Sequence, residues 1–137
     1  MKVLLDTNVV LDYLLKRKLY FRPAKLIFQW AFNGKISASI SASAVTDIYY
    51  LIRKEESHSM ALGFIKELIQ FIDVADVDRQ AIISALQSDM TDFEDAVQNA
   101  VAIQTKREAI ITRNLDDYKS SELKIYSPEK FVEYFQK

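Results

Sequence analysis

An apolar run, Val3-Leu4-Leu5, stops on Asp6, with Thr7 and Asn8 directly behind it. Acids return in Asp92-Phe93-Glu94-Asp95 and in Thr112-Arg113-Asn114-Leu115-Asp116-Asp117, and Asp47 lies within Ser43-Ala44-Val45-Thr46-Asp47-Ile48. A strand that ends on a carboxylate presents that group at the mouth of a sheet rather than in its core. Carboxylates gathered at one sheet edge repel each other unless something neutralises them, and a divalent cation with oxygen ligands does so best. Each acid also has a plainer reading. Asp92 and Asp95 suit the start of a helix, Asp47 an exposed first turn, and Asp116 and Asp117 a turn. Three carboxylates are no signature in a chain with 19 acidic residues among 137. The conjunction carries the weight: Asp6, Asp47, Asp95 and Asp117 are each expected just past a strand or in a first helical turn, where a parallel sheet brings residues together.

The elements that would position them follow from periodicity. Residues 2–5 read as a central strand and 9–16 as a helix with Val9, Val10, Tyr13 and Leu14 at helical spacing. Pro23 fits the first turn of a helix over 23–32, which Asn33-Gly34 ends. A second strand is predicted over 36–40, then a helix capped by Ser43 with Val45, Ile48, Tyr49 and Ile52 inward. Residues 60–70 continue as helix, 71–74 as a third strand, and Asp78 caps the next helix. On the helix over 92–104, Phe93, Ala96, Val97 and Ala100 share one face, with Asp92, Asp95 and Asn99 in a strip beside it. Residues 109–111 form a fourth strand, 125–126 a short fifth, and Pro128 opens the last helix. Alternating strands and helices imply a three-layer α/β/α sandwich around a parallel sheet of four to five strands, in one domain over 1–137.

Composition narrows the function. Half the residues are hydrophobic, enough for a sizeable core, and the net charge of −1 gives no general attraction to nucleic acid or anionic membranes. There is no cysteine, so neither a disulfide nor a thiolate site is available, and the lone His58 sits in a polar stretch that suits a loop or helix start. No apolar run nears the ~18 residues that cross a bilayer, so a cytoplasmic protein without membrane contact is expected. The basic groups Lys16-Arg17-Lys18 with Arg22, Arg53-Lys54, Lys106-Arg107, and Arg113 with Lys119 read either as solvated surface or as a broken positive rim for a polyanion. Tyr20, Phe21 and Trp30 read as packing residues or as a platform for bases.

With these residues in view, the chain resembles the PIN-domain family of metal-dependent nucleases over essentially its whole length. The resemblance rests on Leu5-Asp6-Thr7-Asn8-Val9-Val10-Leu11-Asp12-Tyr13-Leu14, on the Ser43-to-Asp47 stretch, on Asp92-Phe93-Glu94-Asp95-Ala96-Val97-Gln98, and on Ile111-Thr112-Arg113-Asn114 leading to Asp117-Tyr118. It implies that Asp6, Asp47, Asp95 and Asp117 form an acidic cluster holding Mg2+ or Mn2+. Asp6 and Asp95 would be the primary ligands, and Thr7, Asn8, Asp92, Thr112 and Asn114 would support them. It further implies an endoribonuclease, and stand-alone domains of this size, like the VapC-type ribonucleases, are often toxins held by an antitoxin and commonly homodimeric. Two positions depart from the pattern: Asp47 stands where much of the family has glutamate, and Asn114 is neutral where an acid is frequent. Two rivals remain open. A catalytically degenerate PIN-like module would bind RNA or protein without cutting. A phosphatase with a nucleophilic aspartate would need an acid two residues after Asp6, where Asn8 stands.

Overall fold

The computed structural model describes residues 1–136. Five short strands build one sheet: β1 (Lys2–Leu5), β2 (Ser37–Ser41), β3 (Asp73–Ala75), β4 (Ala109–Ile111) and β5 (Lys124–Tyr126). All pair in parallel, in the order β3-β2-β1-β4-β5. Helices in pairs carry the first three connections, α1 (Thr7–Leu14) and α2 (Phe21–Phe32), α3 (Ala42–Glu55) and α4 (His58–Leu68), α5 (Arg79–Leu86) and α6 (Phe93–Gln104), and α7 (Pro128–Gln136) follows β5. A 3₁₀ turn, Leu115–Tyr118, links β4 to β5.

The pleat of β1 sorts the two cores. Val3 and Leu5 face one side with Ala38, Ile40, Ala109 and Ile111, covered by α1, α2, α3, α4 and α7. Leu4 and Ile110 face the other, beneath Ala81 and Ala85 of α5 and Ala96, Val97, Ala100 and Val101 of α6. Both faces being covered, β1 beyond Lys2 and β4 are apolar without alternation, while β2 alternates serine with Ala38 and Ile40, and the expected three-layer α/β/α architecture is what the chain adopts.

The chain steps outward from β1 through β2 to β3, then returns to the other side of β1 as β4. The strand order therefore reverses between β1 and β4, and in open parallel sheets ligands gather at that crevice, outside the carboxyl ends of the strands. Leu5 lies opposite Ile111 in the register, so the next residues, Asp6 and Thr112, emerge side by side.

Several element ends differ from the sequence reading. Helix α1 starts at Thr7 rather than residue 9, because the Asp6 side chain accepts the Thr7 amide as N-cap. The cap of α3 is Ser41, not Ser43: Ser41 Oγ accepts from the Ala44 amide at 3.2 Å, and Ser43 Oγ instead contacts Ser41 Oγ at 2.9 Å. Asp47 consequently stands sixth in α3, beyond its first turn. Ser57 caps α4, which begins at His58, and β3 starts late because the Phe71 and Ile72 amides still bond back to the Leu68 carbonyl. Phe93 is 49% exposed, whereas the helical pattern put it on the sheet-facing side. As predicted, Asp78 caps α5, and Gly34 follows α2 at φ +76°.

Candidate active site

Asp6 is buried and accepts four hydrogen bonds. Its Oδ1 receives the Thr7 amide at 2.7 Å and Gln98 Nε2 at 2.8 Å; its Oδ2 receives Thr112 Oγ1 at 2.7 Å and Asn8 Nδ2 at 3.3 Å. Two carboxylate oxygens offer roughly four acceptor positions, so the protein's own donors saturate this one and fix its orientation. The supporting groups are tied in turn. The Arg113 amide donates to Asn8 Oδ1 at 3.2 Å, and the Asn114 amide to Thr112 Oγ1 at 3.0 Å.

Helix α6 brings the second acid. Asp92 caps it by accepting the Asp95 amide at 3.0 Å, so Asp92 does perform the plainer role the sequence allowed. That cap holds Asp95 in the first turn, buried beside Asp6, with Tyr118 Oη donating to its Oδ1 at 3.2 Å. Burial, with the neighbouring charges of Asp6, Asp92 and Asp117, pushes the Asp95 carboxyl up to about 7, partly offset by the Tyr118 hydroxyl. Burial first, and then Asp6 and Asp95, raise the Tyr118 hydroxyl itself, so it stays a donor.

A cleft of ≈570 Å³ opens over these groups, lined by six carboxylates: Asp6, Asp47, Asp92, Glu94, Asp95 and Asp117. Thr7, Asn8, Gln98 and Asn114 add uncharged polar groups to the wall. Every residue of the expected acidic cluster and its supporting set thus lines the cleft except Thr112, which lies fully buried beneath it on Asp6. Asp117 reaches it from the 3₁₀ turn and Asp47 from the second turn of α3. Burial raises the Asp47 carboxyl, and the charge of Asp47 is the first cause raising that of Glu94.

The donor set fits a hard divalent cation. The oxygen donors of the lining are carboxylates, amides and hydroxyls with neither sulfur nor imidazole, and burial with neighbouring charge disfavours the charged form of Asp95, as the charge of Asp47 and burial do that of Glu94. No side-chain donor among the described residues reaches Asp47, Glu94 or Asp117, so their oxygens are available. The acids share the cleft without being drawn into a cage: among the described residues no three acidic or histidine side chains stand close enough to hold one ion together. An ion would therefore have to pull Asp47 and Asp117 inward, and would reach Asp6 only where a donor such as the distant Asn8 amide gives way.

Four contributors were not singled out. Gln98 lies three residues after Asp95, hence on the same helix face, and that spacing could have revealed it. Glu94 carries no signal that separates it from the other first-turn acids of α6, and Tyr118 gives no periodic signal inside a 3₁₀ turn. Asp12, fully buried, accepts Arg113 Nε at 2.7 Å and Nη2 at 3.2 Å, with Arg17 Nη1 3.6 Å away. Arg17 is the one basic side chain lining the cleft among the described residues, and it also stands 3.7 Å from Glu55. Two members of the proposed positive rim are therefore bound to an internal acid. The aromatic platform does not line the cleft: Tyr20 lies under the Arg113 guanidinium at 3.9 Å, Phe21 stacks toward Tyr13, and Trp30 packs against Phe135. His58 opens α4 and pairs with Tyr49 Oη at 2.7 Å.

Fold and cleft together define a parallel three-layer α/β protein with an acid-lined, cation-suited crevice at its topological switch point. The chain belongs to the PIN domain family, whose model matches residues 2–116. It is similar to "Ribonuclease VapC1" of Aquifex aeolicus (strain VF5), with 24% identity over 137 residues, 96% of this chain and 94% of that protein. Among solved structures, VapBC2 from Rickettsia felis, bound to a DNA fragment from their promoter, superposes with a TM-score of 0.72 at 14% identity, covering 93% of this chain and 98% of that one. A toxin–antitoxin complex from Klebsiella pneumoniae gives 0.70 at 19% identity, over 92% and 97%. At these identities the structural likeness establishes the fold. Among the described residues no helix is long and apolar enough to cross a membrane.

Proposed function

We propose that this protein is an endoribonuclease dependent on Mg2+ or Mn2+, acting in the cytoplasm as the toxin of a toxin–antitoxin pair. The observation that carries this is the meeting of six carboxylates at one cleft over the switch between β1 and β4, with Asp6 immobilised at its floor. The relatives named for ribonuclease activity and for toxin–antitoxin assembly support the substrate and the partner. An antitoxin and a second copy of this chain are the expected protein partners.

Asp6 and Asp95 would hold the ion, with Asp117 and Asp47 completing the site directly or through water. When bound, the ion supplies Lewis acidity toward the phosphate and makes water nucleophilic at neutral pH. The chain's own residues do the rest. Thr112, Asn8, Thr7 and Gln98 keep Asp6 in one orientation, so little reorganisation is needed as charge develops. Asp95, whose carboxyl titrates near 7, carries a proton part of the time when the site is empty of cation, and loading the site releases it. Asp92 holds Asp95 through its amide, and Asn114 presents a neutral amide to the cleft in place of a further charge.

The saturated acceptors of Asp6 and the dispersed carboxylates favour one alternative, a degenerate PIN-like module that binds RNA or protein without cutting it. Cleavage of RNA by purified protein separates the two. Activity is expected with Mg2+ or Mn2+, none after chelation, and a loss of at least ~100-fold, or ~2.7 kcal/mol of barrier, in Asp6→Asn or Asp95→Asn. Full activity in the double variant overturns the nuclease reading. Growth arrest on expression, relieved by a neighbouring small open reading frame, tests the toxin role independently.

A further inference from the structure

Beside the acidic cleft lies a second cavity of ≈260 Å³, which shares Asp47, Glu94 and Gln98 with it. Val77, Ile82, Phe93 and Val97 give it apolar walls. Its volume falls just below the ~300 Å³ where pockets for whole small molecules begin, a size that suits one heterocyclic base.

Acceptors predominate among the polar groups lining this cavity, with the carboxylates of Asp47 and Glu94 beside the Gln98 amide. Gln98 is 5% exposed and gives one Nε2–H to Asp6 at 2.8 Å. Only the amide nitrogen can donate to a carboxylate, so the orientation of this side chain is fixed by chemistry. Its Oε1 is left buried without a hydrogen-bond partner among the described residues. A buried acceptor without a partner is destabilising, and a ligand N–H would satisfy it. The Glu94 carboxylate adds two more acceptors. The hydroxyls bordering the cavity are engaged elsewhere, Ser43 with Ser41 Oγ at 2.9 Å and Thr46 with the Ser43 carbonyl at 3.2 Å. At the rim, Phe93 leaves half its surface in water, an aromatic face open to stacking.

We propose that this cavity receives an unpaired guanine of bound RNA, stacked on Phe93, with its N1–H and N2–H2 edge turned to Glu94 and Gln98 Oε1. Single-stranded RNA is read in this way elsewhere, by aromatic stacking and hydrogen bonds to the pairing edge of a splayed base. Guanine alone carries two adjacent donor groups on that edge. Adenine and cytosine set one amine beside an acceptor nitrogen, and uracil flanks its one N–H with carbonyls, so none of them offers two adjacent donors to the two oxygens of the Glu94 carboxylate. The inference rests on the ribonuclease reading for its substrate class, and it adds a base preference next to the site of cutting.

Nucleosides alone test it without metal or cleavage. Amide NMR spectra of the wild-type protein are recorded during titration with guanosine, inosine, adenosine, cytidine and uridine. Guanosine is expected to shift the Phe93, Glu94 and Val97 amides and the Gln98 side-chain amide, and to bind at least ~10-fold tighter than adenosine, cytidine or uridine, within the reach of one stack and its hydrogen bonds. Inosine, lacking the 2-amino group, should fall between. Phe93→Ala, a substitution at a half-exposed position, should weaken guanosine by ~5-fold or more. Equal binding of all five nucleosides, or guanosine shifts away from these residues, overturns the proposal. Guanosine binding in a protein that cleaves no RNA would refute the nuclease reading and leave the base site standing. RNA cleavage without guanosine preference would do the reverse.

Discussion

Asp95 is the side chain whose protonation most directly reports the state of the cleft. Its carboxyl titrates near 7 when folded, against an ordinary 3.8 for an unfolded chain, because burial and then Asp6 oppose its charge. Between those values the folded protein binds more protons than the unfolded one. Stability is therefore full below pH ~4 as far as this group is concerned, and is lost as pH rises through ~7. Melting of the cation-free protein should accordingly occur at lower temperature at pH 8 than at pH 5, and Asp95→Asn should flatten that slope. A wild-type profile already flat across this window would show that Asp95 is not held as described. Asp12 offers a second test at the same scale. It is fully buried with Arg113 bidentate upon it, and Arg113 also donates its amide to Asn8. Asp12→Ala should cost about 3 kcal/mol in denaturant unfolding, the low end for breaking a buried pair because Arg113 retains some solvent. A loss below ~1 kcal/mol, the range of exposed pairs, would contradict it.

At the scale of elements, the passage from β2 into α3 shows how a local ambiguity hides a boundary. Ser41 is both the last residue of β2 and the cap of α3, so the strand becomes a helix with no intervening loop. Serines stand at 37, 39, 41 and 43, so residue type alone does not single out the expected Ser43, and the Ala44 amide bonding to Ser41 Oγ makes Ser41 the cap. Ser41→Ala should destabilise by about 1 kcal/mol as a lost N-cap, and Ser43→Ala by less. Equal effects would mean that the cap is misassigned. The same shift of boundary moves Asp47 into the second turn. Elements with strong punctuation were legible: Asp78 capping α5, Gly34 ending α2, Pro128 opening α7. Phe93 misled because a 100° periodicity cannot say where a helix overhangs the sheet it packs on.

For the molecule as a whole, the architecture was legible because both of its causes are written in the sequence. Apolar strands alternate with amphipathic helices, and parallel pairing then leaves few topologies. The acidic residues expected at the strand ends do line one cleft, since β1 and β4 lie adjacent and release Asp6 and Thr112 together. What the sequence could not supply was the hydrogen-bonded support. Gln98, Tyr118 and the Asp12–Arg113 pair act across separations of 92, 23 and 101 residues, which only the fold closes. Nor could it reveal that the carboxylates stand apart, since side-chain separation depends on packing. The claim beneath all of this is that the cleft binds a divalent cation through Asp6 and Asp95. Calorimetric titration of Mn2+ into the wild-type protein and into Asp6→Asn and Asp95→Asn measures it directly. Saturable binding in the wild type, with proton release at pH 6 to 7 and loss of binding in either variant, is the predicted result. No binding in the wild type, or binding undiminished in both variants, would contradict it.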